Sequence, residues 1–155
     1  MERPSLSQTR EDSTDTLLRA QQALRSRFDD FRQAFERNDR TALQVALLDF
    51  EEQFRRWTEV EDKVLVPALV RNGIPGRDPR RELHLEYVQI RELTRYLVRQ
   101  LGEGIRANDL SGFVENLDRR LHAHESEMEQ VYYPAARTML TNEEWIILAA
   151  ARPES

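Results

Sequence analysis

The chain has 155 residues, a net charge of −5 and no cysteine. This length corresponds to one domain that can bury a hydrophobic core of its own. The negative charge argues against a nucleic-acid-binding protein, which is normally basic. The lack of cysteine excludes disulfides, thiolate metal sites and a cysteine nucleophile. Because 33% of the residues are charged and only 5 are glycine, the composition predicts a helix-rich chain with few loops.

The polar N-terminus and the absence of long apolar runs predict where the protein resides. Residues 1–12 are polar and contain Pro4, so they are predicted to form a flexible tail that lacks the apolar core of a signal peptide. No apolar run approaches the ~18 residues that indicate a membrane-spanning helix. We therefore expect a cytoplasmic protein that binds neither a membrane nor nucleic acid, with its domain over residues 13–152.

Four stripes of mostly apolar residues come next, each with alternating spacings of three and four residues, which is the pattern of one helical face. They cover residues 17–35, 50–68, 83–101 and 117–135. The second stripe ends with Val64 and Ala68, and the fourth ends with Val131 and Ala135. Short connections between four such helices predict an all-α fold, specifically an antiparallel up-down-up-down four-helix bundle.

Turn and capping residues divide these helices. Residues 72–79 contain two glycines and two prolines and are predicted to be a loop. Pro67 is predicted to kink or loosen the last turn of the second helix. Thr41 with Gln44 has the spacing of a capping box for the second helix.

A second pair with this spacing, Thr141 with Glu144, precedes a short last helix over residues 143–151. That helix carries four large apolar residues in a row: Trp145, Ile146, Ile147 and Leu148. One helical face cannot bury all four on its own bundle, so we expect at least a weak homodimer. The alternative is that this helix folds across the end of the bundle as a lid.

The two halves of the chain repeat. The segment WTEVEDKVLVP starts at position 57 and HESEMEQVYYP starts at position 124, an offset of 67 residues. Each runs from a large ring through an acidic turn to a proline. The first helix maps onto the third with an offset of 66, which places position 21 on position 87. A pseudo-twofold bundle would bring such equivalent positions together around its middle.

Six positions on the inward seams are candidate pocket residues: Gln21, Trp57, Glu61, Tyr87, His124 and Met128. Trp57 and Glu61 are four residues apart and therefore point the same way, and His124 and Met128 are related in the same manner. A buried carboxylate is costly unless it is paired or protonated. Glu61 is therefore predicted to be buried and hydrogen-bonded to His124, Tyr87 or Gln21.

The order and spacing of five segments resemble the hemerythrin-like, or HHE cation-binding, domain family over roughly residues 14–150. These segments are LRAQQALRSRF, WTEVEDKVLVP, LEYVQIREL, HESEMEQVYYP and LTNEEWIIL. The resemblance implies a four-helix bundle with a short C-terminal helix. It also implies a metal centre whose His and Glu ligands come from all four helices.

This chain departs from the family at most of the six ligand positions. Only Glu61 and His124 keep a family ligand, and the other four positions hold Gln21, Trp57, Tyr87 and Met128. A carboxylate-bridged di-iron centre needs several imidazoles and bridging carboxylates, which one His and one Glu cannot supply. We therefore expect no dinuclear iron and no other cofactor. If any metal binds, its ligands would be Glu61 and His124.

Three functions remain open from the sequence. The first is a non-catalytic binding protein that has lost its metals and binds a small molecule in the central pocket or a protein partner. The second is a metal-binding protein with a non-standard site at Glu61 and His124, completed by Tyr87 or His84. The third is a cofactor-free enzyme that uses Glu61 and His124 as an acid–base pair. The sequence favours the first, and no catalytic residue is assigned.

Overall fold

The computed structural model describes the backbone of residues 6–154 and the side chains of residues 16–154. Every regular element within this range is helical, which confirms the all-α class. None of these helices combines the length and the apolar character needed to cross a membrane. The elements are α1 Leu6–Glu36, α2 Arg40–Val60, the π-helical turn π1 Glu61–Leu65, α3 Val66–Asn72, α4 Pro79–Gly102, a 3-10 turn Ala107–Leu110, α5 Ser111–Glu127, the π-helical turn π2 Met128–Tyr132, α6 Tyr133–Met139 and α7 Asn142–Ala151.

The first helix begins earlier than the sequence predicts. Residues 1–5 of the predicted tail lie outside the described residues, whereas the rest of the tail belongs to α1, which already includes Leu6. This stretch contains Leu6, Gln8, Arg10 and Glu11, which are good helix formers. Helix α1 ends at Glu36, and Asn38 lies just beyond it with φ of 54°, a left-handed conformation that commonly terminates helices.

Helix α2 is capped by Asp39, whose carboxylate accepts a hydrogen bond of 3.2 Å from the backbone N–H of Ala42. The predicted capping box at Thr41 and Gln44 is wrong, because the helix starts one residue before Thr41. The Gln44 amide instead donates to the carbonyl of Leu101 at 2.9 Å and ties α2 to the end of α4.

Two π-helical turns interrupt the long helices at equivalent places in the repeat. Turn π1 starts at Glu61 and π2 starts at Met128, 67 residues later. Pro67 and Pro134 each stand six residues after the start of their turn. Proline lacks a backbone N–H and its ring collides with the carbonyl four residues before it, so an α-helical bond cannot form there. The loosening predicted at Pro67 is therefore present as a π turn, and the second copy shares it.

The π turns shift the buried face by one residue. A π turn contains one residue more than an α turn, so the side chains beyond it are rotated relative to a 3.6-residue pattern. Val131 and Ala135, predicted to be inward, are only partly buried, whereas Tyr132 and Ala136 are fully buried. In the same way Leu65 is fully buried where the stripe predicted Val64.

The long helices pack side by side around one apolar core. Helix α1 lies along α2, α2 contacts α4, α4 contacts α5, and α1 also contacts α6 and α7. Large aromatic rings fill the space between α1 and α2, where the ring centroids of Phe28 and Phe50 are 5.4 Å apart. The Phe50 ring lies 5.7 Å from that of Phe54, and Phe54 in turn packs against Tyr87 of α4 at 6.5 Å.

Helix α7 begins with the predicted capping box of Thr141 and Glu144, which is confirmed. It contacts α1, α2 and π1 of its own chain, and Trp145 is buried there with 4% exposure. Ile146 and Ile147 remain 68% and 50% exposed. The helix therefore covers part of the fold as a lid, and it buries only part of its apolar surface.

Candidate functional site

A buried polar cluster lies where π1, α4, α5 and α6 come together. Its centre is Glu61, the first residue of π1, which is only 1% exposed. Tyr87 from α4, His124 from α5 and Tyr133 from α6 surround the Glu61 carboxyl and are themselves buried. Trp57 precedes Glu61 by one helical turn, is equally buried, and places its indole beside the Tyr133 hydroxyl. The predicted burial of Glu61 is thus confirmed.

The polar groups of this cluster are incompletely satisfied. Among the described residues, Oε2 of Glu61 and the hydroxyl of Tyr87 are buried without a partner in hydrogen-bond geometry. The His124 ring and the tyrosine hydroxyls do stand close enough to favour the ionised carboxylate. Burial outweighs them and raises the pKa of Glu61 from 4.5 to about 7. At neutral pH both protonation states of Glu61 are therefore populated.

The two buried tyrosines stay neutral at neutral pH. Burial raises the pKa of the Tyr87 phenol well above its usual value, and the nearby Glu61 carboxylate adds to that effect. The pKa of the Tyr133 phenol is raised for the same two reasons. Neither phenol is therefore available as a phenolate.

His124 is oriented by a carboxylate on the neighbouring helix. Its Nδ1 lies 3.3 Å from Oε2 of Glu86. The ring packs edge-on against Tyr87, with centroids 5.5 Å apart, and against Phe54 at 6.4 Å. If Nδ1 carries the proton donated to Glu86, the neutral imidazole presents Nε2 as a hydrogen-bond acceptor.

Gln21 and Met128 take different places from those predicted. The Gln21 amide does not serve Glu61, because its Nε2 donates to Oε1 of Glu129 at 2.7 Å. Met128 is fully buried as the first residue of π2 and contributes packing volume beside the cluster. Its unbranched thioether suits an irregular space of this kind.

A cavity of about 20 Å³ adjoins Glu61. This volume holds roughly one water-sized molecule and is far below the ~300 Å³ of an ordinary small-molecule site. Of the six predicted pocket residues, four line it and two, Tyr87 and Met128, do not. The lining residues are Gln21, Leu24, Arg25, Phe50, Phe54, Trp57, Glu61, Leu121, His124, Glu125 and Tyr133.

Ion pairs and hydrogen bonds between α1 and the second half of the chain form the polar side of the cavity. The Arg25 guanidinium contacts the Glu125 carboxylate and donates to Asp118 at 2.8 Å. The hydrogen bond from Gln21 to Glu129 lies one turn away on α1. Arg25 therefore carries its charge already compensated by two carboxylates.

These residues do not fit a dinuclear iron centre. The Trp57 indole cannot act as a ligand, and the Met128 thioether is a poor match for a hard oxidised iron. Within residues 16–154, no group of three His, Asp or Glu side chains is placed to hold a metal ion. His84, which the metal hypothesis included, is exposed and lines a separate surface groove with Asp62 and Asp78.

Sequence reasoning missed Tyr133 and Glu86. Tyr133 lies directly after π2 and two residues from both Val131 and Ala135, so it belongs to a face that the predicted stripe does not cover. The only available signal was the Tyr-Tyr-Pro ending of the segment HESEMEQVYYP. Glu86 lies one residue before Tyr87 and off the predicted seam, so the pattern placed it on a solvated helical face.

Comparison with family models, curated proteins and solved structures finds no match to this chain. The residues of the site and their geometry are therefore the basis on which a function can be proposed.

Proposed function

We propose that this chain is a hemerythrin-like four-helix bundle that works as a non-catalytic binding protein and takes a small guest in its centre. Two helical hairpins, formed by α1 with α2 and by α4 with α5, would make the antiparallel bundle, with α7 as the closing helix. The two π turns, 67 residues apart, support this arrangement. They show that the two halves of the chain share a local break in helical geometry as well as a sequence pattern.

The observation that carries the proposal is the cavity of about 20 Å³ lined by Glu61, a buried residue whose Oε2 has no hydrogen-bond partner. Nearly all buried polar atoms in proteins have a hydrogen-bond partner, and the exceptions are frequently functional. A packed core without a guest would gain stability from an apolar residue at this position. A guest that donates a hydrogen bond to Glu61 would satisfy this buried carboxylate, which would explain why a charged residue occupies the position.

Metal binding at Glu61 and His124 is the second candidate, and it receives less support. Two protein ligands are too few for a stable transition-metal site. Tyr87 and Tyr133 would have to complete it as phenolates, and burial raises the pKa of both phenols well above the usual value. Because the two tyrosines stay neutral, these side chains favour a guest that does not require several anionic ligands.

Acid–base catalysis is the third candidate, and one observation favours it. Glu86 orients His124 at 3.3 Å, and the pKa of Glu61 is raised to about 7, which suits proton transfer near neutrality. The cavity of about 20 Å³ nevertheless admits only a water-sized reactant. This size favours binding over the turnover of an organic substrate.

Trp57 gives a direct test because it lines the cavity. Replacing Trp145 by Phe leaves Trp57 as the sole tryptophan, and its emission is then recorded with xenon, ammonium or formate at constant ionic strength. At least one guest should change the Trp57 emission and raise the Tm of the wild-type protein.

Two variants on α5 provide the matched control. Leu121 lines the cavity, and Leu117 is buried one turn earlier without lining it. Leu121→Phe should abolish the response by filling the space, whereas Leu117→Phe should keep it at a similar cost in stability. A folded wild-type protein that responds to no guest would contradict the proposed function.

A further inference from the structure

The wall of the central cavity combines aromatic rings with a carboxylate. Phe50, Phe54, Trp57 and Tyr133 line it together with Glu61. Aromatic faces attract cations, most strongly at Trp, and cages of such rings are typical of sites for ammonium groups. We infer that the cavity is a binding site for one ammonium ion, held between the Glu61 carboxylate and the surrounding rings. The inference rests on the proposed function and names its guest.

The hydrogen-bonding groups around the cavity match an ion that only donates. Oε2 of Glu61 is a buried acceptor without a partner. His124 lines the same space and keeps Nε2 as an acceptor when Glu86 holds Nδ1. Ammonium has four N–H donors and no acceptor, so these groups complement it.

The local charge is negative and therefore favours a cation. Among the described residues that line the cavity, Arg25 is the only arginine or lysine, and it is paired with Glu125 and Asp118. Within that lining, Glu61 then has no arginine or lysine of its own. An anionic guest such as formate would meet the Glu61 carboxylate and be repelled.

Size and ligand chemistry separate ammonium from other cations. A volume of about 20 Å³ accommodates one water-sized ion and excludes tetramethylammonium. Hard metal cations require several oxygen ligands, whereas the second carboxylate among the described residues of this wall, Glu125, is already paired with Arg25. The cavity wall is therefore better suited to an ion that forms N–H hydrogen bonds and ring contacts than to a metal that needs coordinating oxygens.

Thermal unfolding in different chloride salts at equal ionic strength tests the inference. Ammonium at ten times its Kd should raise the Tm by roughly 3 °C relative to sodium chloride. Tetramethylammonium should raise it not at all. Glu61→Gln should lose the ammonium effect, and Glu59→Gln, which changes an exposed carboxylate on the same helical run, should keep it.

Proton NMR with ¹⁵N-ammonium supplies a readout that needs no variant. A bound ammonium signal with nuclear Overhauser contacts to Trp57 or Tyr133 is expected. Equal Tm shifts in ammonium and sodium chloride, without a bound signal, would overturn the inference. If formate changes the Trp57 emission and raises the Tm while ammonium does neither, the ammonium assignment fails and the proposed function stands. If no guest changes the Trp57 emission or the Tm of the folded protein, both the ammonium assignment and the proposed function fail.

Discussion

Nδ1 of His124 lies 3.3 Å from Oε2 of Glu86, and the same imidazole favours the ionised form of the buried Glu61 carboxyl. His124 therefore has two carboxyl neighbours, one partly exposed and one in the centre of the fold. This relationship fixes the orientation of the ring and leaves its second nitrogen for the cavity. The stability of the protein should depend on both carboxyls, in different ways.

The first prediction concerns pH and Glu61. The pKa of Glu61 is about 7 in the folded chain, whereas its ordinary value is 4.5. The folded state therefore binds the Glu61 proton more tightly than the unfolded state does. The stability contributed by the protonated carboxyl is present below about pH 4.5 and is lost as the pH rises through about 7. The free energy of unfolding should fall by about 2–3 kcal/mol between pH 5 and pH 8.

Urea unfolding at both pH values, in wild type, Glu61→Gln and Glu59→Gln, measures this fall. Glu61→Gln should flatten the pH dependence, because its amide does not titrate. The exposed Glu59→Gln should leave it unchanged. If the free energy of unfolding of Glu61→Gln falls with pH as steeply as that of the wild type, the titrating group is not Glu61.

The second prediction concerns the support of His124 by Glu86. Glu86→Ala removes the acceptor of a partly buried hydrogen bond and should lower the free energy of unfolding by about 1–2 kcal/mol. Glu92→Ala changes another carboxylate further along α4, away from His124, and should stay within about 0.5 kcal/mol of wild type. Denaturant titrations compare the two, and equal losses would mean that the contact with His124 contributes nothing of its own.

The sequence predicted the buried cluster better than its surroundings. Spacings of three and four residues are sufficient to place Trp57, Glu61 and Tyr87 inside the fold, and all three are buried. The stripe failed at Val64, Val131 and Ala135, since the extra residue of a π turn rotates the side chains, whereas Ala68 is buried as predicted. Tyr133 was missed because it lies on a face that the stripe does not cover. The proline at the end of each stripe was the one sequence feature that indicated a break in the α-helical spacing.

Partner choice within the cluster could not be predicted from spacing. Gln21 is buried as expected, but its amide donates to Glu129 and not to Glu61. A helical pattern gives the face of a residue and leaves the direction of a long polar side chain undetermined. The hydrogen bond between His124 and Glu86 was hidden in the same way.

The third prediction concerns α7. Ile146 and Ile147 are 68% and 50% exposed, whereas Trp145 is covered by its own chain. The homodimer expected from the sequence should therefore use the two isoleucines. Replacing both by Ser should shift sedimentation at micromolar concentration from dimer to monomer with only a small loss of Tm, because a weak dimer adds little to the stability of the folded state.

Trp145→Ala is the contrasting variant, because it removes a buried ring and should cost about 3–5 kcal/mol of stability. If the wild-type protein sediments as a monomer at every concentration, the dimer prediction is wrong and α7 serves only as a lid.

The fourth prediction concerns metals. Trp57 and Met128 occupy two of the six candidate positions named from the sequence, and neither side chain suits oxidised iron. Protein expressed in metal-supplemented medium should contain no dinuclear iron and show no oxo-bridge absorption band. Elemental analysis of iron, manganese and zinc per chain, with a spectrum recorded in air, measures this. Two irons per chain would contradict it, whereas one weakly held metal would favour the site at Glu61 and His124.

The decisive measurement is a crystal structure of the wild-type protein grown in ammonium salt, compared with one of Leu121→Phe. One peak is expected in the cavity, within hydrogen-bond distance of the Glu61 carboxylate in the wild type and absent from the filled variant. Two metal peaks between π1 and α5, or a Glu61 side chain turned towards solvent, would contradict it.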